Sequence, residues 1–527
     1  MEPDRARRLQ RLVHLAELVD DVDVSEEDLR VNAIRGALTL GDVDTALRLA
    51  QNGLRRRPGD VALVGHLAIA LEAAGHHGEA AAAVGGRQWS HDPGAVGRWV
   101  ANRFLTSGEI SAVPDDVEDP ENELLANHVW VAALSGDGPA AAAGVERVLA
   151  SHASSPQAVV WACVAGAVPA VFEGRDRRAR QLVGIARAVE VVRAEQLTPF
   201  AELQINLVDA LVGVHTGDLA HTAARCSVLV EQAPSDWLRG VWYGCLGGVC
   251  RESGGFADGV QMFDRCLEQF PGDPFGMAYW ARSDRAVCAA MAEHTEVPSE
   301  AVVVDEAAAP LPRFCRPVLL RNEAWYRMAV GDAPGAIRAL RRALVDAMGL
   351  GQPAVSTSLL TDIARFGHAG EAAEALAGLP DLASPLAGCR AAAVSAFAAD
   401  DVQMLVTAST EAARFGIQPV GWELAAAALD RAARQRDSQR RARIELLTSI
   451  EHAPTPRLRR RREPILTSRE RVIAGLAAAG APSRGIADHL GVSVRTVDNL
   501  LGRVYRKTGL SGRADLTALL TGGRVDP

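Results

Sequence analysis

The chain has 527 residues, 48% of them hydrophobic and 23% charged, the balance of an ordinary globular protein, which excludes collagen-like and generally disordered classes. Its longest apolar run, Val159 to Phe172, is interrupted by Pro169 and falls well short of the ~20 residues that a bilayer span needs. The formal charge of −9 is unevenly spread: residues 431–527 hold 20 Lys plus Arg against 9 Asp plus Glu, while the first 430 positions hold 36 against 56, so an acidic body precedes a basic tail of the kind that binds nucleic acid.

The opening MEPDRARRLQ lacks the apolar core of a signal peptide, and a cytoplasmic location is expected. Lys507 is the only lysine. A phosphate-binding loop of the GxxxxGK[ST] type needs a lysine to reach the β- and γ-phosphates, so the body is not read as a P-loop ATPase, and Schiff-base chemistry lacks its usual nucleophile. With no HExxH, GxSxG or CxxC motif present, no enzyme is expected, and no catalytic, cofactor-binding or metal-binding residue is assigned. The eight cysteines, Cys163, Cys226, Cys245, Cys250, Cys266, Cys288, Cys315 and Cys389, are read as small core residues of a reduced protein.

Along the acidic body a spacing recurs. Gly41-Asp42 is followed by Ala46, Ala50, Leu54 and Pro58, and Gly75, 34 residues on, by Ala80 and Val84 at the same first two offsets. The pattern returns at Gly136 with Ala141 and Leu149, at Gly217-Asp218 with Pro234, and at Gly254 with Gly259, Phe263, Leu267 and Pro271. It appears again at Gly331-Asp332 with Ala336, Leu340 and Leu344, and at Gly367 with Ala372 and Leu376. Physically, such a glycine ends one helix in a left-handed cap, the small residue five positions later lets two helices approach closely, and the proline stops the second helix. The segment from about residue 25 to 430 thus resembles a tetratricopeptide array, which implies helix pairs stacked into an α-solenoid that binds a protein, peptide or small ligand. The tryptophans Trp89, Trp99, Trp130, Trp161, Trp237, Trp242, Trp280, Trp325 and Trp422 could line a groove, but their helical spacing favours core positions. Pro114–Glu123 and Val297–Pro312 read as loops between repeats.

Residues 431–463 read as a basic helical linker, a first half RAARQRDSQRRARIELL and a proline-broken second half whose Arg457 and Arg459 to Arg462 could touch phosphates or simply form a solvated hinge. From residue 464 the punctuation is regular. Thr467 and Glu470 make a capping box before a helix with Val472, Ile473 and Leu476, ended by Gly480. Ser483 opens a short helix with Ile486, Ala487 and Leu490, and Gly491 turns the chain. Ser493 caps a third helix whose Val497, Leu501, Val504 and Thr508 share one face; Gly509 then turns the chain, and Ser511 opens a last helix with Leu516 and Leu519. A short helix, a glycine turn and a longer helix form a helix-turn-helix, whose second helix enters the major groove. Its outward face holds Arg495, Asp498, Asn499, Gly502, Arg503 and Arg506: arginines suited to phosphates, Asn499 to adenine, Asp498 to cytosine, and Gly502 to close approach of the backbone.

The run LTSRERVIAGLAAAG, with SRGIADHLGVSVRTVDNLLGRVYRKTGLSGRADL, resembles the DNA-binding domain of LuxR-type transcription regulators over about residues 464–521. That resemblance implies sequence-specific binding to a promoter inverted repeat as a homodimer, with the last helix at the dimer contact and the positions of Asp498, Asn499 and Gly502 facing the bases. The DNA-binding set read here is Ser483, Ser493, Arg495, Thr496, Asp498, Asn499, Gly502, Arg503, Arg506 and Lys507. Leu500 stands where the family commonly has His, Thr508 where it commonly has Leu, and Asp498 where Lys is frequent. The whole resembles the rear half of the large ATP-dependent LuxR activators without their ATPase. The expectation is an all-α regulator divided into a sensor or interaction array (1–430), a hinge (431–463) and a DNA-binding domain (464–527), with double-stranded DNA, RNA polymerase and an unknown solenoid ligand as partners. The rival expectation is a protein-binding scaffold or anti-regulator whose tail no longer binds DNA specifically.

Overall fold

Two helices joined by a single left-handed residue recur through the chain. In the computed structural model the described residues are 13, 26–85, 93–108, 117–270, 277–292, 313–380, 383–448, 455, 458 and 466–522. Trp89, the start of the Pro114–Glu123 loop, the Val297–Pro312 loop and the arginines Arg457 and Arg459 to Arg462 lie outside them. All regular structure among the described residues is helical, and none of these helices is long and apolar enough to cross a membrane.

The chain divides into two compact units, one of residues up to 251 with 255–356 and 382–384, the other of 252–254, 357–381 and 385–527. In the first, the helices are α1 (Glu26–Leu40), α2 (Val43–Arg56), α3 (Val61–Ala73), α4 (His77–Val84), α5 (Pro93–Ser107), α6 (Glu123–Ser135), α7 (Gly138–Ala150), α8 (Pro156–Phe172) and α9 (Asp176–Arg193). They continue with α10 (Ala201–Thr216), α11 (Leu219–Gln232), α12 (Asp236–Ser253), α13 (Phe256–Glu268), α14 (Met277–Met291), α15 (Arg316–Ala329) and α16 (Ala333–Gly349).

All seven glycines picked out by spacing have positive φ, from +74° at Gly41 to +100° at Gly367. At Gly136 the turn closes with Gly136 N–H on the Ala133 carbonyl and Asp137 N–H on the Ala132 carbonyl, which satisfies the orphan carbonyls of α6. Asp137 then caps α7 by accepting from Ala140 N–H at 3.0 Å, and Asp42 and Asp332 do the same for α2 and α16. One left-handed residue plus one aspartate therefore ends a helix and starts the next. The small residues five positions on, Ala46, Ala80, Ala141 and Ala336, are wholly buried. At Gly259 a Cβ would lie 2.9 Å from Cys288 Sγ, so the Cys288 side chain of α14 packs directly on the α13 backbone. This repetition of tightly turned helix pairs is a tetratricopeptide-like α-solenoid.

Trp237, Trp242 and Trp325 are buried, and Trp237 packs against Phe200 and Phe270. Trp130 and Trp161 are half-buried and stack on each other with ring centroids 5.9 Å apart. None of the cysteines is in a disulfide, and six of them are buried. A cavity of about 180 Å³ between α9, α10 and α11 is lined by Arg180, Asn206, Asp209, His221, Arg225 and Cys226. Its charges are internally matched, Arg225 with Asp209 at 3.1 Å and Arg180 with Asp218 at 3.6 Å.

The second unit takes most of α17 (Pro353–Arg365), then α18 (Ala369–Leu376), α19 (Pro385–Ala399), α20 (Val402–Arg414), α21 (Gln418–Arg434) and α22 (Ser438–Leu447). The left-handed position here is not always glycine: Asp400 (φ +49°) separates α19 from α20, and Arg436 (φ +60°) separates α21 from α22. Asp401 and Asp437 follow them as N-caps, accepting from Met404 N–H and Arg440 N–H. Arg431 to Arg434 thus end α21, and α22 is the second helix of a further repeat, with Ala442 and Ile444 buried. Within this unit Arg365 is buried between two carboxylates, donating to both Glu423 oxygens at 3.0 and 3.1 Å and to Asp362 at 2.8 Å. The unit ends with α23 (Ser468–Ala478), α24 (Ser483–Leu490), α25 (Val494–Thr508) and α26 (Arg513–Gly522).

Candidate nucleic-acid interface

The last four helices are set by short local signals. The capping box is formed: Glu470 N–H donates to Thr467 Oγ1 at 3.2 Å and Thr467 N–H to Glu470 Oε2 at 2.8 Å. Gly480, Gly491 and Gly509 all take positive φ at the ends of α23, α24 and α25. Ser493 caps α25, accepting from Thr496 N–H at 3.1 Å. Ser483 opens α24 as expected, the first helical residue after the extended N-cap Pro482. Ser511 differs from expectation: α26 begins at Arg513, and Ser511 donates its N–H to Asp515 at 2.8 Å.

The domain core joins Ile473, Ala474 and Ala477 of α23, Ile486 and Ala487 of α24, Val497, Leu501 and Val504 of α25, and Leu516 of α26. Val472, read as part of the apolar face, is 49% exposed; the small side chains of Ala474 and Ala477 hold that place. On α25 the expected buried stripe of Val497, Leu501, Val504 and Thr508 is found. The opposite face leaves Arg495, Asp498, Asn499, Arg503 and Arg506 exposed. Arg495 and Arg503 have no carboxylate partner among the described residues, and a Cβ at Gly502 would meet nothing within 4 Å. A helix face bearing unpaired arginines, an amide side chain and a bare backbone position can approach a phosphate-lined groove.

The other residues of the expected set have partners within the protein. Lys507 Nζ donates to Glu470 Oε2 at 2.7 Å, the Ser493 and Thr496 hydroxyls lie 2.8 Å apart, and the Ser483 hydroxyl accepts from Arg513 at 3.3 Å. Burial pushes the Glu470 carboxyl up, but Lys507 and the Thr467 N–H outweigh it and hold the group below its ordinary value. Thr508 is fully buried, its hydroxyl turned back on the Val504 carbonyl at 2.8 Å, and Leu500 packs against the core.

Residues 464–520 match the family described as bacterial regulatory proteins, luxR family (GerE). The C-terminal domain is of LuxR type. No curated protein matches the chain. Among solved structures it is similar to the crystal structure of the APC/C hetero-tetramer Cut9–Hcn1, at 11% identity and a TM-score of 0.33, covering 98% of this chain and 97% of that one. It is also similar to yeast Tom70, at 11% identity and a TM-score of 0.26, covering 84% and 92%.

The helical half of the expected linker packs on the LuxR-type domain as a fifth helix, a contact that the sequence reading did not foresee. Helix α22 meets α23, α25 and α26: Arg443 Nε donates to the Thr508 carbonyl at 2.9 Å, Glu445 accepts from Leu466 N–H at 2.7 Å, and Leu446 packs against the domain core. The signal lay in Asp437, a cap residue, followed by the apolar positions Ala442, Ile444, Leu446 and Leu447.

Proposed function

We propose that the protein is a sequence-specific DNA-binding transcription regulator that acts as a homodimer on an inverted repeat, with its helical-repeat array supplying the regulatory input through a protein or small-molecule ligand. The observation that carries this reading is the exposed face of α25, where Arg495, Asn499, Gly502 and Arg503 stand clear of the protein inside a LuxR-type domain. In this reading Asn499 pairs with adenine, Asp498 accepts from a cytosine amino group, and Gly502 lets the backbone near the groove. Arg495, Arg503 and Arg506 hold phosphates, while Ser493 and Thr496 add hydroxyls at the start of the helix. Lys507 contributes its charge from the salt bridge with Glu470, and Ser483 borders the interface beside Arg513.

Chromatin immunoprecipitation of the tagged protein, compared with an Asn499→Ala/Arg503→Ala variant, tests it. Discrete peaks sharing a two-fold motif and lost in the variant are expected. A flat profile across growth conditions, together with equal affinity for selected and random duplexes, would replace it with the protein-binding scaffold.

A further inference from the structure

Helix α22 belongs to two bodies at once. It packs on α20 and α21 of the last repeat, and it also packs on α23, α25 and α26 of the LuxR-type domain. Gln439, Arg443 and Leu446 follow i, i+4, i+7 and so share one face. That face bears on the end of the recognition helix: Arg443 bonds the Thr508 carbonyl, and a Cβ on Gly509 would lie 2.8 Å from the Gln439 side chain. On the same helix buried Glu445 holds Leu466 N–H, one residue before the Thr467 cap of α23.

The last carbonyls of a helix have no partner within it, and the end is the negative pole of the helix dipole. Thr508 is buried there, and its own hydroxyl is committed to Val504, so neither water nor that side chain serves its carbonyl. A guanidinium both donates to this carbonyl and places a positive charge at that pole.

We infer that Arg443, a residue of the repeat array, is a positioning residue for the recognition helix α25, and that α22 carries the packing of the last repeat to the DNA-reading face. The inference rests on the DNA-binding reading above for its functional consequence, but its structural half stands apart from it. Arg443 is not a phosphate contact; it sets the angle at which Asn499 and Gly502 are presented.

The test uses the full chain with Arg443→Ala and Arg443→Lys, and as probes a duplex selected by the wild-type chain from a random library and a random duplex of equal length. Amide hydrogen exchange over residues 504–510 without DNA is expected to quicken about tenfold in the alanine variant and to stay near wild type in the lysine variant, which keeps a donor. Affinity for the selected duplex should fall about tenfold in Arg443→Ala with the salt dependence unchanged. Unchanged exchange in that variant would overturn the inference, as would a salt slope shallower by about 0.9 with exchange intact, the mark of a lost phosphate contact. If Arg443→Ala does not fold, Gln439→Ala is used, with faster exchange over the same residues expected and unchanged exchange overturning the inference. If the wild type shows no preference for any duplex, the DNA-binding reading fails, and the exchange data still decide whether α22 fixes α25.

Discussion

Lys507 reaches back from the last turn of α25 to Glu470 in the first turn of α23, with Nζ 2.7 Å from Oε2. Glu470 is at the same time the acidic half of the capping box, so one buried carboxylate ties the first helix of the LuxR-type domain to the third. The only lysine of the chain is thus the partner of a structural acid.

That tie makes the domain acid-sensitive in a defined direction. The folded Glu470 carboxyl is held below its ordinary value of 4.5, so its stabilisation is fully present above pH 4.5 and is lost as pH falls through the lower folded value. Glu470→Gln is expected to lower the melting temperature at pH 7 and to flatten its fall below pH 4.5. Parallel melting curves for the two proteins across that acid range would count against it.

At Gly502 stability and binding should part. A Cβ there meets nothing within the protein, and alanine is about 1 kcal/mol better than glycine inside a helix. Gly502→Ala should therefore melt slightly higher than the wild type while losing affinity for its selected duplex by about tenfold, the cost of about one lost contact. Calorimetry and fluorescence anisotropy read the two effects separately; a variant that binds as tightly as wild type would remove Gly502 from the interface.

Adjacent glycines in α12 should answer oppositely to the same substitution. A Cβ at Gly247 would sit 2.6 Å from the Phe263 ring, whereas at Gly248 it meets nothing. Gly247→Ala is expected to destabilise the first unit by about 1–3 kcal/mol through overpacking, and Gly248→Ala to stabilise it by up to about 1 kcal/mol. Thermal denaturation of the two variants settles it.

Arg365 lies buried between Glu423 and Asp362. Arg365→Met removes the guanidinium that these two buried carboxylates share and should cost about 3–5 kcal/mol. Urea unfolding that shifts by less than 1 kcal/mol would mean that the neighbourhood rearranges to readmit water.

Base readout and phosphate contact leave different signatures. Asn499→Ala should cost about 1–3 kcal/mol on the selected duplex and relax preference at one base pair, with little change on random DNA. Arg495→Gln should weaken every duplex alike and reduce the salt slope by about 0.9. A selective loss for Arg495 or a uniform one for Asn499 would exchange their roles.

How much of this was legible in the sequence depends on which residue carried the turn. The glycine-marked repeats could be read because a left-handed residue is nearly always glycine, and their φ values agree. Where Asp400 and Arg436 take that conformation, no glycine marks the turn, so the repeat ending in α22 read as a linker. The buried stripe of α25 was evident from its 3.6-residue period, whereas Val472 was misplaced because α23 packs through alanines that hydropathy underrates. The partner of Lys507 lies 37 residues away, a pairing no local pattern encodes.

The sharing of α22 also sets where this chain can be cut and recombined. A graft of its DNA reader starting at residue 464 would bring four helices but leave the Thr508 carbonyl without Arg443 and the domain core without Leu446. The transferable module begins at Asp437, whose cap starts α22, so an exchange of helical-repeat arrays by recombination must break in the Arg436 turn.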